Sequence, residues 1–157
     1  MGIRTGVLNQ PTVAIVHRDN VPGLPDKYTG ADIEVVKGML KEAIDYLGDI
    51  KSVVHPGDKV AIKVNAFLTG ENRWHIGPGA STTDPRVVEA LVKLINEEAN
   101  PAKVMIVEEA TAVWFEPGKG TMGAFKACGI AMAAKRTGAE PVSYTHLRAH
   151  ETVLALV

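Results

Sequence analysis

KVAIKVNAF, residues 59–67, is the stretch whose reading decides the fold. A period of two places Val60, Ile62 and Val64 on one face of a strand and Ala61, Lys63 and Asn65 on the other. Apolar residues on both faces mark a strand covered on both sides, as in a parallel sheet, rather than one with a face in water. Two other runs have the same character: TVAIVH at residues 12–17 and KVMIV at residues 103–107. Both are predicted as strands. AEP, residues 139–141, reads as the entrance to a fourth.

Helical spacing fills the intervals. Ile33, Val36, Leu40, Ile44 and Leu47 recur at three and four, which predicts an amphipathic helix from Asp32 to about Gly48. Glu34, Lys37, Lys41 and Asp45 form its solvated face. HPGDK, residues 55–59, is a turn. Asp84 followed by Pro85 is a helix start, because the carboxylate accepts from unpaired amides and proline at the first helical position sacrifices no hydrogen bond. Val87, Val88, Leu91, Val92 and Ile95 give that helix its apolar face, and Asn100 with Pro101 stops it. Thr121 is expected to cap a segment through Ala127; Gly129 breaks it, and a further short helix runs to about Arg136 before Gly138. Strands alternating with helices predict an α/β fold, a mostly parallel sheet with helices on both faces in Rossmann-like layers. Right-handed crossovers gather the strand carboxyl ends on one rim, where open α/β sheets bind ligands.

Composition narrows the function classes. The 157 residues suit one domain or part of one. Lys and Arg number 17 against 18 Asp and Glu, a net charge of -1, so neither nucleic acid nor an anionic membrane is an expected partner. Cys128 stands alone, which rules out an intrachain disulfide and a four-cysteine cluster, and fits a reducing, cytoplasmic setting. The start, MGIRTGVLNQ, lacks an apolar core of signal-peptide length, and no run approaches the roughly 18 apolar residues of a membrane span.

The candidate chemistry clusters at the rim. Lys63 and Asn65 point the same way, and a lysine within an apolar strand must find an anion or open toward a cleft. Thr82 and Thr83 precede a helix start and are candidate ligand donors, although Asp84 brings its own negative charge there. Glu108 and Glu109 are adjacent, so in an extended segment only one faces the crevice, where it could hold a metal, a ribose-like hydroxyl or Lys63. GPGAST, residues 77–82, follows its strand at too great a distance for a dinucleotide fingerprint. PGKGT, residues 117–121, has Gly120 where a phosphate loop needs Ser or Thr, which leaves Lys119 as a ligand contact on a loop. Trp74 and His75 sit in the long loop after the strand and could line a pocket.

KVNAF (residues 63–67), STTDPRVVEALVKLI (81–95), KVMIVEEA (103–110) and GAFKACGIAMAAKRTGAEP (123–141) resemble the domain-of-unknown-function 362 family. Its pattern is a strand ending in Lys-Pro-Asn, a long loop, a Thr-Thr-x-Pro-x-Val-Val-x-x-Leu helix start and a strand ending in an acidic residue. The likeness covers nearly the whole chain to Pro141, with Val64 standing where the family has proline. The resemblance adds to the case for a catalytic role at Lys63 and implies that Glu109 stands at the family's acidic position, as metal ligand, base or partner of Lys63; Asn65, Thr82, Thr83 and Lys119 are the expected ligand contacts, and no dedicated metal site is assigned. Longer members carry a ferredoxin-like iron-sulfur segment, which implies a 4Fe-4S cluster elsewhere in a full-length protein. The arrangement is also broadly similar to the N-terminal domain of nickel-dependent lactate racemases, a likeness of fold that carries no function by itself.

SYTHLRAHET, residues 143–152, places His146 and His150 at helical metal-ligand spacing, with Glu151 alongside. The same ten residues resemble one reading frame of a transposon-end sequencing adapter, so the stretch is expected to be foreign and its histidines are not assigned. The expected organisation is therefore the N-terminal part of one α/β domain at 1–141 and a non-native tail at 142–157. The leading expectation for function is an α/β enzyme binding a small anionic or metal-complexed ligand at the sheet rim. The alternatives are a docking or electron-transfer module of a longer iron-sulfur protein, and a structural interaction domain.

Overall fold

A computed structural model describes residues 12–19, 21, 29–66, 82–109, 120–143 and 152–155. The strands are β1 (Lys59–Lys63), β2 (Lys103–Glu108), β3 (Glu140–Ser143) and β4 (Thr152–Ala155). They form one sheet in the order β3-β2-β1-β4, and every neighbouring pair is parallel. The helices are α1 (Gly30–Leu47), α2 (Pro85–Ala99), α3 (Gly120–Ala127) and α4 (Ile130–Thr137), with a short 3-10 turn at Ile50–Ser52. The α/β class expected from the strand and helix patterns is present.

The two faces of β1 separate as the period of two requires. Val60, Ile62 and Val64 join Val104 and Ile106 in the main core with Val88, Leu91, Val92 and Ile95 of α2, Phe125 of α3 and Ile130 of α4. Ala61, Met105 and Val107 form a separate buried group with Val142 on the other face. Among the described residues, then, helices pack on one face only, which narrows the expectation of helices on both. The reason is topological. From β1 to β2 to β3 the sheet grows in one direction, and right-handed crossovers that advance in one direction lay their helices on the same side.

α2 sits at the centre of this layer, and local chemistry defines its ends. Asp84 is the N-cap, its carboxylate accepting from the amide of Arg86, and Pro85 takes the first position. Asn100, in the left-handed conformation, closes the helix. α2 is buried on more than one stripe because α1 covers its outer side: Ile33 and Val36 of α1 pack on Ala90 and Val87. Lys37 pairs with Glu97 at 3.0 Å and Lys41 with Glu98 at 3.1 Å along the same seam. The pKa of Lys37 is raised, chiefly by hydrogen bonding to Glu97. α1 begins with a reciprocal cap in which Thr29 and Asp32 satisfy each other's backbone amides, and these bonds hold the Asp32 carboxyl below its usual range.

The expected strand at residues 12–17 is not formed. No strand is assigned over residues 12–18, and Val13 and Ile15 are 83% and 86% exposed. The edge of β1 that it would need is occupied by β4, paired from Val60 with Thr152 to Lys63 with Ala155. The run AEP does lead into a strand, β3, on the opposite edge beside β2. Trp74, His75, Lys119, His146, His150 and Glu151 lie outside the described residues.

Candidate functional site at the carboxyl rim of the sheet

Parallel pairing puts the ends of β1, β2 and β3 on one rim. Lys63 lies opposite Val107, and Glu108 lies opposite Ser143. The Lys63 amine donates to Glu108 Oε2 at 2.7 Å and also to the carbonyl of Val64. This pair is half-buried and asymmetric: the Lys63 side chain is 32% exposed and that of Glu108 10%. An ammonium has three donors, and among the described residues two of them are engaged.

Glu108 is buried where a carboxylate is normally expensive, and its hydrogen bonds explain why it is tolerated. Oε2 accepts from the amide of Ala66 at 3.3 Å as well as from Lys63. Oε1 accepts from the amide of Glu109 at 2.8 Å. The Ala66 amide is in place because β1 continues past Lys63 and folds against the chain entering α2. Ala66 bridges Thr82 in antiparallel fashion, the Asn65 amide donates to Thr83 Oγ1 at 2.8 Å, and the Thr83 amide donates to the Asn65 carbonyl at 2.8 Å. Thr82 Oγ1 is buried and has no hydrogen-bond partner among the described residues.

The structure thus places Lys63 on Glu108 and joins Asn65 to Thr83 and Ala66 to Thr82 in the chain segment beside that pair. It does not give Glu109 as the partner of Lys63. Glu109 is exposed and accepts a hydrogen bond from the hydroxyl of Ser143 at the end of β3. Glu108 rather than Glu109 meets Lys63 because the backbone amides that can hold a buried carboxylate belong to Ala66 and Glu109 itself, and both face Glu108. The amino end of α2 is also less inviting to an anion than its position suggests. Arg86 N–H is taken by the Asp84 carboxylate, and the amides of Val87 and Val88 by the Asp84 carbonyl. Arg86 is itself buried, with Nε and Nη2 both on the Asp84 carboxylate, the latter at 2.7 Å. Among the described residues no group of three or more His, Cys, Asp or Glu could hold a metal ion. No described helix is long and apolar enough to cross a membrane.

Residues 60–154 match the family model described as "Domain of unknown function (DUF362)". The chain belongs to the DUF362 family. The matched part of the DUF362 domain starts at β1, takes in the whole rim and extends beyond Pro141, where the motif-level resemblance ends. No curated protein matches the chain, and no solved structure does.

Two side chains at this site escape sequence reading. Glu108 is masked by its neighbour, since two adjacent glutamates differ only in which backbone amides they meet. Arg86 looks like an exposed residue on the first turn of α2, and its burial depends on Asp84.

Proposed function

We propose that the DUF362 rim around Lys63 and Glu108 binds a small anionic ligand, in an enzyme whose sheet supplies the positioning. The observation that carries this reading is the half-buried Lys63 amine, held at 2.7 Å from Glu108 with two of its three donors engaged among the described residues, at the meeting of two parallel strand ends. A ligand carboxylate or phosphate takes the third donor or replaces Glu108 as the counter-charge. Glu108, once released, becomes a carboxylate beside the ligand and is suited to accept a proton. Asn65 and Thr83 act by fixing the loop edge to α2, and the Thr82 hydroxyl, without a partner among the described residues, supplies a further polar contact on ligand binding.

The test is a thermal-shift and calorimetric screen of the chain with inorganic phosphate and with two- to four-carbon mono- and dicarboxylates, each with and without Mg2+. At least one anion is expected to raise the melting temperature, and Lys63→Ala is expected to abolish that rise while changing the unliganded melting temperature little. Equal loss of binding and of stability would make Lys63 a structural residue and refute the reading. A response only with Mg2+ present would favour a metal-complexed ligand over a free anion.

A further inference from the structure

β4 occupies an unusual seat. It pairs in parallel with β1, on the side away from β2 and β3, yet it follows β3 through residues 144–151 alone. A parallel crossover ordinarily takes about a dozen residues or more and carries a helix. Residues 144–151 are fewer than that, and β3 and β4 stand at opposite edges of the sheet.

The seat has a better-matched claimant. α1 leads directly to β1 and packs beside α2, on the face of the sheet that all the described helices share. A right-handed strand-helix-strand unit that ends in β1 and puts its helix on that face must begin with a parallel strand on β1's outer edge. The chain before α1 contains TVAIV, residues 12–16, a β-branched run of strand composition. TVLA of β4 begins with the same Thr-Val and continues apolar, so the two segments offer similar strands to one edge.

Residues 12–18 are out of the sheet, and their exposure is abnormal for their composition. Val13 and Ile15 are 83% and 86% exposed, whereas Ala14 and Val16 are partly covered, an alternation that fits a segment with one side toward the protein. The Arg18 guanidinium is ion-paired with Glu42 of α1, which keeps the segment close to the helix it precedes.

We infer that the outer edge of β1 accepts residues 12–16 as a parallel strand in exchange with β4, which falls in the 142–157 stretch expected to be foreign, so that the N-terminal segment and the tail are alternates for one seat. With residues 12–16 seated, the strands succeed one another across the sheet in chain order, and α1 covers the first seam as α2 covers the second. The seat adjoins the site, because Ala155 of β4 is the register partner of Lys63. Exchange therefore changes the backbone that flanks the Lys63 amine.

The experiment is amide hydrogen exchange on the full-length chain and on the full-length double variant Val153→Pro with Leu154→Pro. Successive residues of a strand direct their amides to opposite sides, so substituting both removes one of the two donors that face β1, whichever of the pair it is. The inference expects the variant to remain folded, with β1 still protected and residues 13–17 exchanging about tenfold more slowly than in the unmodified chain. Adding Ile15→Pro to the double variant should remove that protection. Unchanged exchange at residues 13–17 while β1 stays protected overturns the inference. So does unfolding of the double variant, since a chain with a second strand for the seat survives loss of the first.

Discussion

Lys63 at the end of β1 and Glu108 at the end of β2 form a 2.7 Å ion pair across two adjacent parallel strands, with the carboxylate nearly buried and the amine partly open to solvent. The burial is possible because the Ala66 and Glu109 amides complete the carboxylate's hydrogen bonding. A pair so placed is poor stability engineering: partial exposure weakens the attraction, and partial burial costs hydration. Its position at the strand ends is what gives it functional meaning.

Glu108→Gln removes the internal competitor for the Lys63 amine while keeping the side chain's shape. The expected result is tighter binding of a responsive anion, by about tenfold, with a stability loss of about 1 kcal/mol from the weakened hydrogen bonds. Calorimetric titration with that anion, alongside denaturant unfolding, checks both parts. Weaker binding would show that Glu108 contacts the ligand favourably rather than competing with it.

Thr82→Val replaces a buried hydroxyl that has no partner among the described residues by an isosteric methyl group. Stability should rise, by about 1 kcal/mol, because an unsatisfied buried polar group is removed. Anion binding should weaken at the same time. A variant that is both less stable and unaltered in binding contradicts the role given to this hydroxyl.

Asp84→Ala removes the α2 cap and strips the buried Arg86 guanidinium of its carboxylate. A loss of about 2–4 kcal/mol is expected. Asp84→Asn retains a capping oxygen but not the charge, so it should fall between the two. Chemical denaturation of the three chains orders them, and an order in which asparagine is no better than alanine would remove the capping contribution.

Cys128 is buried at the end of α3, and desolvation pushes its thiol above the ordinary value of 9.0. A raised pKa means that the folded thiol keeps its proton while the unfolded one loses it. Its contribution to stability is therefore complete below the ordinary value and is lost as pH rises from there through the folded value. Comparison of unfolding free energies at pH 7 and pH 10 should show a steeper alkaline decline for the unmodified chain than for Cys128→Ala. Thiol reagents should label Cys128 only as fast as the fold opens.

Much of this architecture is legible from local chemistry. Asp84 and Pro85 announce α2 because capping needs only neighbouring residues. β1 is legible because a strand covered on both sides must be apolar on both, and that same rule makes Lys63 conspicuous within it. The choice between Glu108 and Glu109 is not local, since it rests on an Ala66 amide delivered by the chain's turn toward Thr82. The fate of residues 12–17 is not local either. Their composition matches that of β4, and which of them joins β1 is a tertiary competition that propensity does not register.

The most direct measurement is crystallographic: crystals grown or soaked with selenate or arsenate, whose anomalous scattering locates an oxyanion without ambiguity. The account predicts a peak whose oxygens lie within about 3 Å of Lys63 Nζ, and loss of that peak in Lys63→Ala crystals. Well-diffracting soaked crystals with oxyanion peaks elsewhere and none beside Lys63 would contradict it.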